Sequence, residues 1–176
     1  VKDILSERLA LRVVPLTGLA ATVKGDRETV HRLMGPVPEE WFDEGWVFDL
    51  RLNQWKDDPA YGPWSIRALT IRQTGVVAGT LNSHDRPKPF RLGEEVMLAI
   101  EIGYSVFEPF RRLGLGEEAV RAYLNWAKTE GAGLAILSIT PENQASRALA
   151  AKLSAFQIGS HVDEKDGPED IFAIRL

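Results

Sequence analysis

The chain has 176 residues, of which 44% are apolar and 26% charged, and its formal net charge is −4. That length suits one domain able to close a core without staples. The acidic balance makes nucleic acid a poor first partner, although a local basic patch could still serve a small anionic ligand. There is no cysteine, which excludes disulfides, thiolate nucleophiles and Cys-ligated zinc. A reducing cytoplasm suits such a composition. No apolar run approaches the ~20 residues that span a bilayer, and no signal peptide is visible. The chain starts at Val1, which leaves the loss of an initiator Met or of a longer leader open.

In chain order, Arg8 to Val13 alternates as a strand does. Leu16 to Ala21 is short, apolar and helical in character. Arg27 to Met34 reads as a second helical piece, closed by Gly35-Pro36. Pro38-Glu39-Glu40 can open a helix that runs to about Lys56, with Trp41, Phe48, Leu52 and Trp55 at helical spacing. Asp57-Asp58-Pro59 ends it. Trp64 to Arg72 and Val76 to Ser83 read as paired strands, joined by the hairpin Gln73-Thr74-Gly75. Asp85 to Glu95, with Pro87, Pro89 and Gly93, reads as a polar loop. Val96 to Val106 is a long strand. Leu115 to Glu130 is an amphipathic helix with Val120, Leu124 and Ala127 on one side, stopped by Gly131 and Gly133. Leu134 to Thr140 is a strand and Asn143 to Leu153 a helix. Phe156 to Val162 and Ile171 to Leu176 close the chain as antiparallel strands. The order predicts an α/β protein, a mixed sheet with helices on both faces, without the regular alternation of a doubly wound sheet. No repeat or linker divides it, so residues 1–176 are expected to form a single domain.

The strongest chemical feature is Arg111-x-x-Gly114-x-Gly116, which follows a strand and opens a helix. Glycines let the backbone approach a ligand and turn its N–H groups toward it. The helix N-terminus adds partial positive charge, and together these suit a pyrophosphate. Arg111 and Arg112 add formal charge. On these residues alone, a plain glycine-rich turn is the rival reading. A Walker loop is excluded, because no Gly-Lys-Ser/Thr follows. A dinucleotide fingerprint is disfavoured, because the following strand, Leu134 to Thr140, carries no acid.

The run Glu101-Ile-Gly-Tyr-Ser-Val, then Phe-Glu-Pro-Phe, then Arg-Arg-Leu-Gly-Leu-Gly-Glu-Glu-Ala resembles the acetyl-CoA motif of the GNAT superfamily of N-acetyltransferases. Thr140-Pro-Glu-Asn-Gln-Ala-Ser146 and Leu149-Ala-Ala-Lys-Leu153 are similar to the Asn-x-x-Ser helix start of the branch that contains the ribosomal-protein N-terminal acetyltransferases. Pro-Glu-Glu-Trp41 and Asp-Pro-x-x-Gly-Pro-Trp64 resemble that branch too. Two departures stand out. The branch usually continues Lys-Leu-Gly-Phe, whereas this chain has Lys152-Leu-Ser-Ala-Phe156, a longer turn without its glycine. Glu108-Pro109 stands where Pro-Glu is usual.

The resemblance implies the GNAT fold, a central, mostly antiparallel sheet splayed at its fourth and fifth strands with helices on both faces. It implies transfer of acetyl from acetyl-CoA, as co-substrate and without a metal, to a primary amine by direct attack in a ternary complex. The amine would be a protein N-terminus or a small molecule. A non-catalytic acyl-CoA-binding or regulatory domain is the alternative, motivated by the lack of any tyrosine after Tyr123. Backbone groups of Ser105 and Val106 would pair with pantetheine. Amides of Arg111, Arg112, Leu113, Gly114, Leu115 and Gly116 would hold the pyrophosphate. Asn143 would bind the pantetheine arm, and Ser146 would lie near the sulfur and protonate the leaving thiolate. A cytoplasmic location is expected, with neither nucleic acid nor membrane as partner. Family members often pair as homodimers.

The amine must lose a proton before attack. Glu101 is the first choice of base. Alternation places it with Met97, Ala99, Gly103 and Ser105, opposite Val96, Leu98, Ile100, Ile102 and Tyr104. Partial desolvation beside small residues would raise its pKa toward useful values. An ion-paired or solvated strand residue is the rival reading, and a bulge near Ser105 would alter the facing. Asn143 is a favoured N-cap, so capping rivals cofactor contact there, as it does for Ser146. Of the histidines, His31 and His161 read as structural, and His84 could face the acceptor. None has metal-ligand spacing with another. Trp41, Trp55 and Trp64 read as aromatic core. Trp46 lies off the helical stripe and could face a substrate. The acidic stretch from Glu39 to Asp49 would favour a cationic amine and Lys88 with Arg91 an acidic acceptor, so the acceptor stays open.

Overall fold

A computed structural model describes residues 1–163 and 167–176, which form nine strands and five α-helices. In chain order these are β1 (Ile4–Leu5), β2 (Leu9–Val13), α1 (Leu16–Val23), α2 (Arg27–Met34), α3 (Gly45–Asp57), β3 (Arg67–Ile71), β4 (Val77–Ser83) and β5 (Lys88–Leu92). Then follow β6 (Glu95–Val106), α4 (Leu115–Thr129), β7 (Leu134–Ile139), α5 (Gln144–Lys152), β8 (Phe156–Asp163) and β9 (Gly167–Arg175). Among the described residues no helix is long and apolar enough to cross a membrane.

Two compact units emerge. The first comprises Val1–Arg86 and Tyr104–Tyr123, the second Pro87–Gly103 and Leu124–Leu176. In the first, β1, β2, β3 and β4 pair antiparallel in sequence order. The end of β6 lies beside β4, where the Phe107 N–H donates to Ala78 O at 2.9 Å. The apolar faces of α1, α2 and α3 close this unit's core through Leu19, Val30, Met34, Phe48 and Leu52. In the second unit, β5 pairs antiparallel with β6, β6 runs parallel to β7, and β7, β9 and β8 follow antiparallel. The parallel pairing covers only Ala99 to Glu101 against Leu134 to Ile136. Beyond it β7 continues to Ile139. The strand pairing is mixed and mostly antiparallel, as expected.

Three expectations need correction. The helix expected over 38–56 is interrupted, with a 3-10 turn at Glu39–Phe42 before α3 begins at Gly45. Trp41 explains the break. Its ring is buried, its Nε1 donates to Thr22 Oγ1 at 2.9 Å, and it packs on Phe48 with ring centroids 5.0 Å apart. In one continuous helix seven residues span about 10 Å of axis, which would hold these rings apart. Trp64 ends a 3-10 turn, Pro59–Trp64, rather than opening a strand. Pro59 starts that turn, and the Asp58 carboxylate caps it by accepting from the Ala60 N–H at 3.1 Å. The loop expected over 85–95 contains β5, an edge strand whose Phe90 and Leu92 pack toward Ala99, Leu134 and Ile136. Proline is tolerated on such an edge.

The helix α5 ends in the turn marked as atypical by its sequence. Ser154 sits at φ 58°, and the N–H groups of Ser154 and Ala155 return to Ala151 O and Ala150 O at 3.0 and 2.9 Å. A left-handed residue there normally is glycine. Ser154→Gly is therefore expected to raise stability by about 0.5–1 kcal/mol, the left-handed strain relieved less the entropy glycine adds to the unfolded chain. Urea denaturation at neutral pH measures it, and a lower midpoint would refute it.

Candidate functional site

In the first unit the loop after β6 is built from the backbone outward. The Ser105 carbonyl presses on the Cα of Gly79, so closely that an added Cβ would overlap it. Glu108–Phe110 forms a 3-10 turn. Arg111 is then extended, Arg112 is left-handed at φ 62°, and Gly114 is left-handed at φ 77°. A non-glycine residue held at positive φ costs about 1–2 kcal/mol and is concentrated at functional sites. The Glu118 N–H donates to Gly114 O at 3.1 Å, which closes the first turn of α4. The leading amides of α4 therefore have no intrahelical partner, and its dipole adds positive charge beside Arg112.

Side chains hold this loop from two sides. Arg8 Nε meets Glu118 Oε2 at 2.6 Å, and Arg8 Nη1 donates to Leu113 O at 2.9 Å. The Arg8 N–H and the Ser6 hydroxyl both donate to Glu118 Oε1 at 2.7 Å. On the other side, Arg111 Nε donates to Val106 O at 2.8 Å and its Nη2 to Glu40 Oε1 at 3.3 Å. Glu40 Oε2 also accepts from the Glu108 N–H at 2.7 Å. The Arg111 guanidinium thus braces the end of β6. Both carboxylates at the start of α4 are matched by arginines, Glu118 by Arg8 and Glu117 by Arg121, which limits their repulsion of an anion. Of the substrate candidates in this unit, Trp46 is 53% exposed and His84 is exposed, its carbonyl accepting from Arg51 and Gln54.

In the second unit Glu101 is half-buried where the β6–β7 pairing stops. The Ser138 hydroxyl donates to its Oε1 at 2.8 Å. Met97 and Ala99, four and two residues earlier, pack with Leu134 and Ile136, in keeping with the expected facing. Asn143 is the N-cap of α5, its Oδ1 accepting from the Ser146 N–H at 3.0 Å, so the capping role is real. That bond leaves the Asn143 amide nitrogen uncommitted to the cap. Ser146 is half-buried on the first turn. Arg147 anchors this turn through Asp170 at 2.6 Å. His31 Nδ1 accepts from the Val37 N–H at 3.4 Å, and His161 Nε2 lies 3.5 Å from Glu169 Oε2. Among the described residues no group of His, Asp or Glu could hold a metal ion.

The structure thus groups Ser105 to Gly116 with Trp46 and His84 in one unit, and Glu101, Asn143 and Ser146 in the other. Arg8, Glu40, Glu118 and Ser138 escaped sequence reasoning. Their partners lie far along the chain, and no local pattern marks them.

The sequence model described as an acetyltransferase (GNAT) domain matches residues 8–155. The chain belongs to the GNAT acetyltransferase family. It is an acetyl-CoA-dependent N-acetyltransferase. No curated protein sequence matches it. Among solved structures, the GNAT chain is similar to a ribosomal-protein-S5-alanine acetyltransferase from Vibrio fischeri, with 16% identity, 98% and 96% of the two chains covered and a TM-score of 0.67. It is similar to RimL, a ribosomal L7/L12 alpha-N-protein acetyltransferase in complex with coenzyme A, with 15% identity, coverage of 99% and 98% and a TM-score of 0.67. It is also similar to a Salmonella typhimurium acetyl transferase that modifies the N-terminal serine of ribosomal protein L7/L12, with 15% identity, 99% coverage of both chains and a TM-score of 0.64. At these identities the likeness establishes the shared GNAT fold.

The brace behind the GNAT loop has a pH signature. Burial pushes the Glu118 carboxyl up, but hydrogen bonds from the Arg8 amide, Ser6 and the Arg8 side chain, with its charge, hold it below its ordinary value of 4.5. A depressed folded pKa gives stability that is complete above the unfolded value and lost as pH falls through the folded one. The stability deficit of Glu118→Gln is therefore expected to be largest at neutral pH and to shrink as pH drops below 4.5. Urea denaturation of both proteins between pH 7 and 3 measures it. A deficit that grows toward acid would refute the brace.

Proposed function

We propose that residues 1–176 act as one acetyltransferase domain that moves acetyl from acetyl-CoA to a primary amine by direct attack in a ternary complex. The observation that carries this reading is the half-buried carboxylate of Glu101, fixed by Ser138 where β6 and β7 part. The amides from Arg111 to Gly116 fit a pyrophosphate, because Arg112 and Gly114 turn the backbone left-handed just before the N-terminus of α4. Backbone groups of Ser105 and Val106 would pair with the pantetheine arm, and the Asn143 amide would bind it from α5.

Glu101 accepts a proton from the acceptor ammonium, directly or through water, and leaves a neutral amine. The amine nitrogen forms a bond to the acetyl carbon as the carbon–sulfur bond breaks. The Ser146 hydroxyl supplies a proton to the departing sulfur and recovers one from solvent. The second proton of the attacking nitrogen leaves to water, so the products are an amide and the free thiol of coenzyme A. The solved relatives named as an alpha-N-protein acetyltransferase and as a modifier of an N-terminal serine support a protein N-terminus as acceptor, and the exposed Trp46 and His84 are where it would dock.

Glu101→Gln is expected to bind acetyl-CoA like the wild type in calorimetry while losing about 10²-fold or more in kcat, the range of general base catalysis. The loss should be smallest at high pH, where the amine deprotonates unaided. Thiol release across a library of amines and N-terminal peptides, from pH 6 to 10, measures both. Unchanged kcat at neutral pH would remove Glu101 from the mechanism, and absent acetyl-CoA binding by the wild type would sink the reading itself.

A further inference from the structure

The buried Arg51 on α3 has no role in the cofactor cradle. It is only 7% exposed. Its Nε donates to Asn82 Oδ1 at 3.0 Å, and its Nη1 donates to Gln54 Oε1 at 3.0 Å and to His84 O at 3.1 Å. Gln54 Nε2 reinforces the last of these by donating to His84 O at 2.8 Å, and Tyr61 fixes the same strand end by donating to Ser83 O at 2.7 Å. Every one of these partners is neutral. Among the described residues no carboxylate pairs with Arg51 and its Nη2 makes no hydrogen bond. Arg8, Arg111 and Arg147 differ, since each is more exposed and each meets a carboxylate.

A buried guanidinium whose hydrogen-bond partners are neutral keeps its full charge, which an anion within reach would offset. With Nε and Nη1 committed, Nη2 is the nitrogen left to donate, and a carboxylate oxygen is a charge-assisted acceptor for it. Arg67 is the instructive contrast, fully buried and donating to the carbonyls of Leu11 and Pro63 in the interior. Arg51 instead ends at His84, an exposed residue at the end of β4. We propose that Arg51, held by Asn82, Gln54 and the His84 carbonyl, is an anion-recognition subsite for a carboxylate carried by the acceptor amine. The proposal rests on the reading that places the acceptor beside Trp46 and His84. It resolves the conflicting charge cues of the sequence in favour of an acidic acceptor.

Two acceptor pairs test it and separate the sources of the carboxylate. One pair is the peptides Ser-Asp-Ala-Ala-amide and Ser-Asn-Ala-Ala-amide, the other β-alanine and β-alaninamide. The wild type is expected to favour the acidic member of at least one pair by tenfold or more in kcat/KM, and the pair that responds identifies a peptide or a small-molecule acceptor. Arg51→Met should bring that ratio to near one with unchanged acetyl-CoA affinity. Asn82→Asp places a carboxylate beside the guanidinium without removing it, and should abolish the preference even if Arg51→Met fails to fold. Ratios near one in both pairs for the wild type, or a preference that survives Asn82→Asp, would overturn the subsite. If no amine is acetylated, calorimetric binding of the same pairs decides: tighter binding of an acidic member sustains the subsite, and equal binding overturns it. Failure to bind acetyl-CoA falls on the proposed function and leaves that calorimetric comparison intact.

Discussion

The loop between β6 and α4 starts from a contact between two stretches of backbone. The Ser105 carbonyl lies against Gly79, and the Phe107 N–H bonds to Ala78. No side chain fits at residue 79, so the end of β6 is held at a fixed distance from β4. The anchors beyond it presuppose that position. Arg111 reaches back to the Val106 carbonyl, Glu40 receives the Glu108 amide, and Arg8 takes the Leu113 carbonyl. All three hydrogen bonds depend on where the end of β6 lies, because their donors or acceptors follow it along the chain.

This arrangement separates strain from support. Arg112 keeps a left-handed backbone that an L-residue adopts only at a cost, and it is held between the Glu40–Arg111 brace and the Arg8–Glu118 pair. Glycine would relax the turn but remove a positive charge from a site suited to a pyrophosphate. The chain combines the charged side chain with the left-handed backbone, between two neighbouring ion pairs.

Much of the fold was legible because it follows local periodicity. The stripe Val120, Leu124 and Ala127 located α4, and the whole stripe is buried. The Gln73-Thr74-Gly75 turn located the β3–β4 hairpin, and Gly75 takes φ 74° there. The failures share another cause. Pro87, Pro89 and Gly93 disguised β5, whose existence depends on pairing with β6 rather than on its own propensity. The break after Phe42 reflects Trp41 meeting Phe48 and Thr22, contacts no helical count reveals. In the candidate site, the glycines and Glu101 announced themselves by type and spacing. Their supports did not, since Ser138 and Glu101 are separated by 37 positions and Arg8 and Glu118 by 110.

The proline that hid β5 also limits what β5 can do. Pro89 sits opposite Leu98 in the ladder, and proline within a sheet turns its donor-less nitrogen away from its partner strand. The outward side of β5 therefore presents an interrupted row of donors, flanked by the charges of Lys88 and Arg91. Another chain that tried to extend the sheet there would meet a missing hydrogen bond and a cationic edge. The same residues that make the segment read as a loop make β5 a poor template for a further strand.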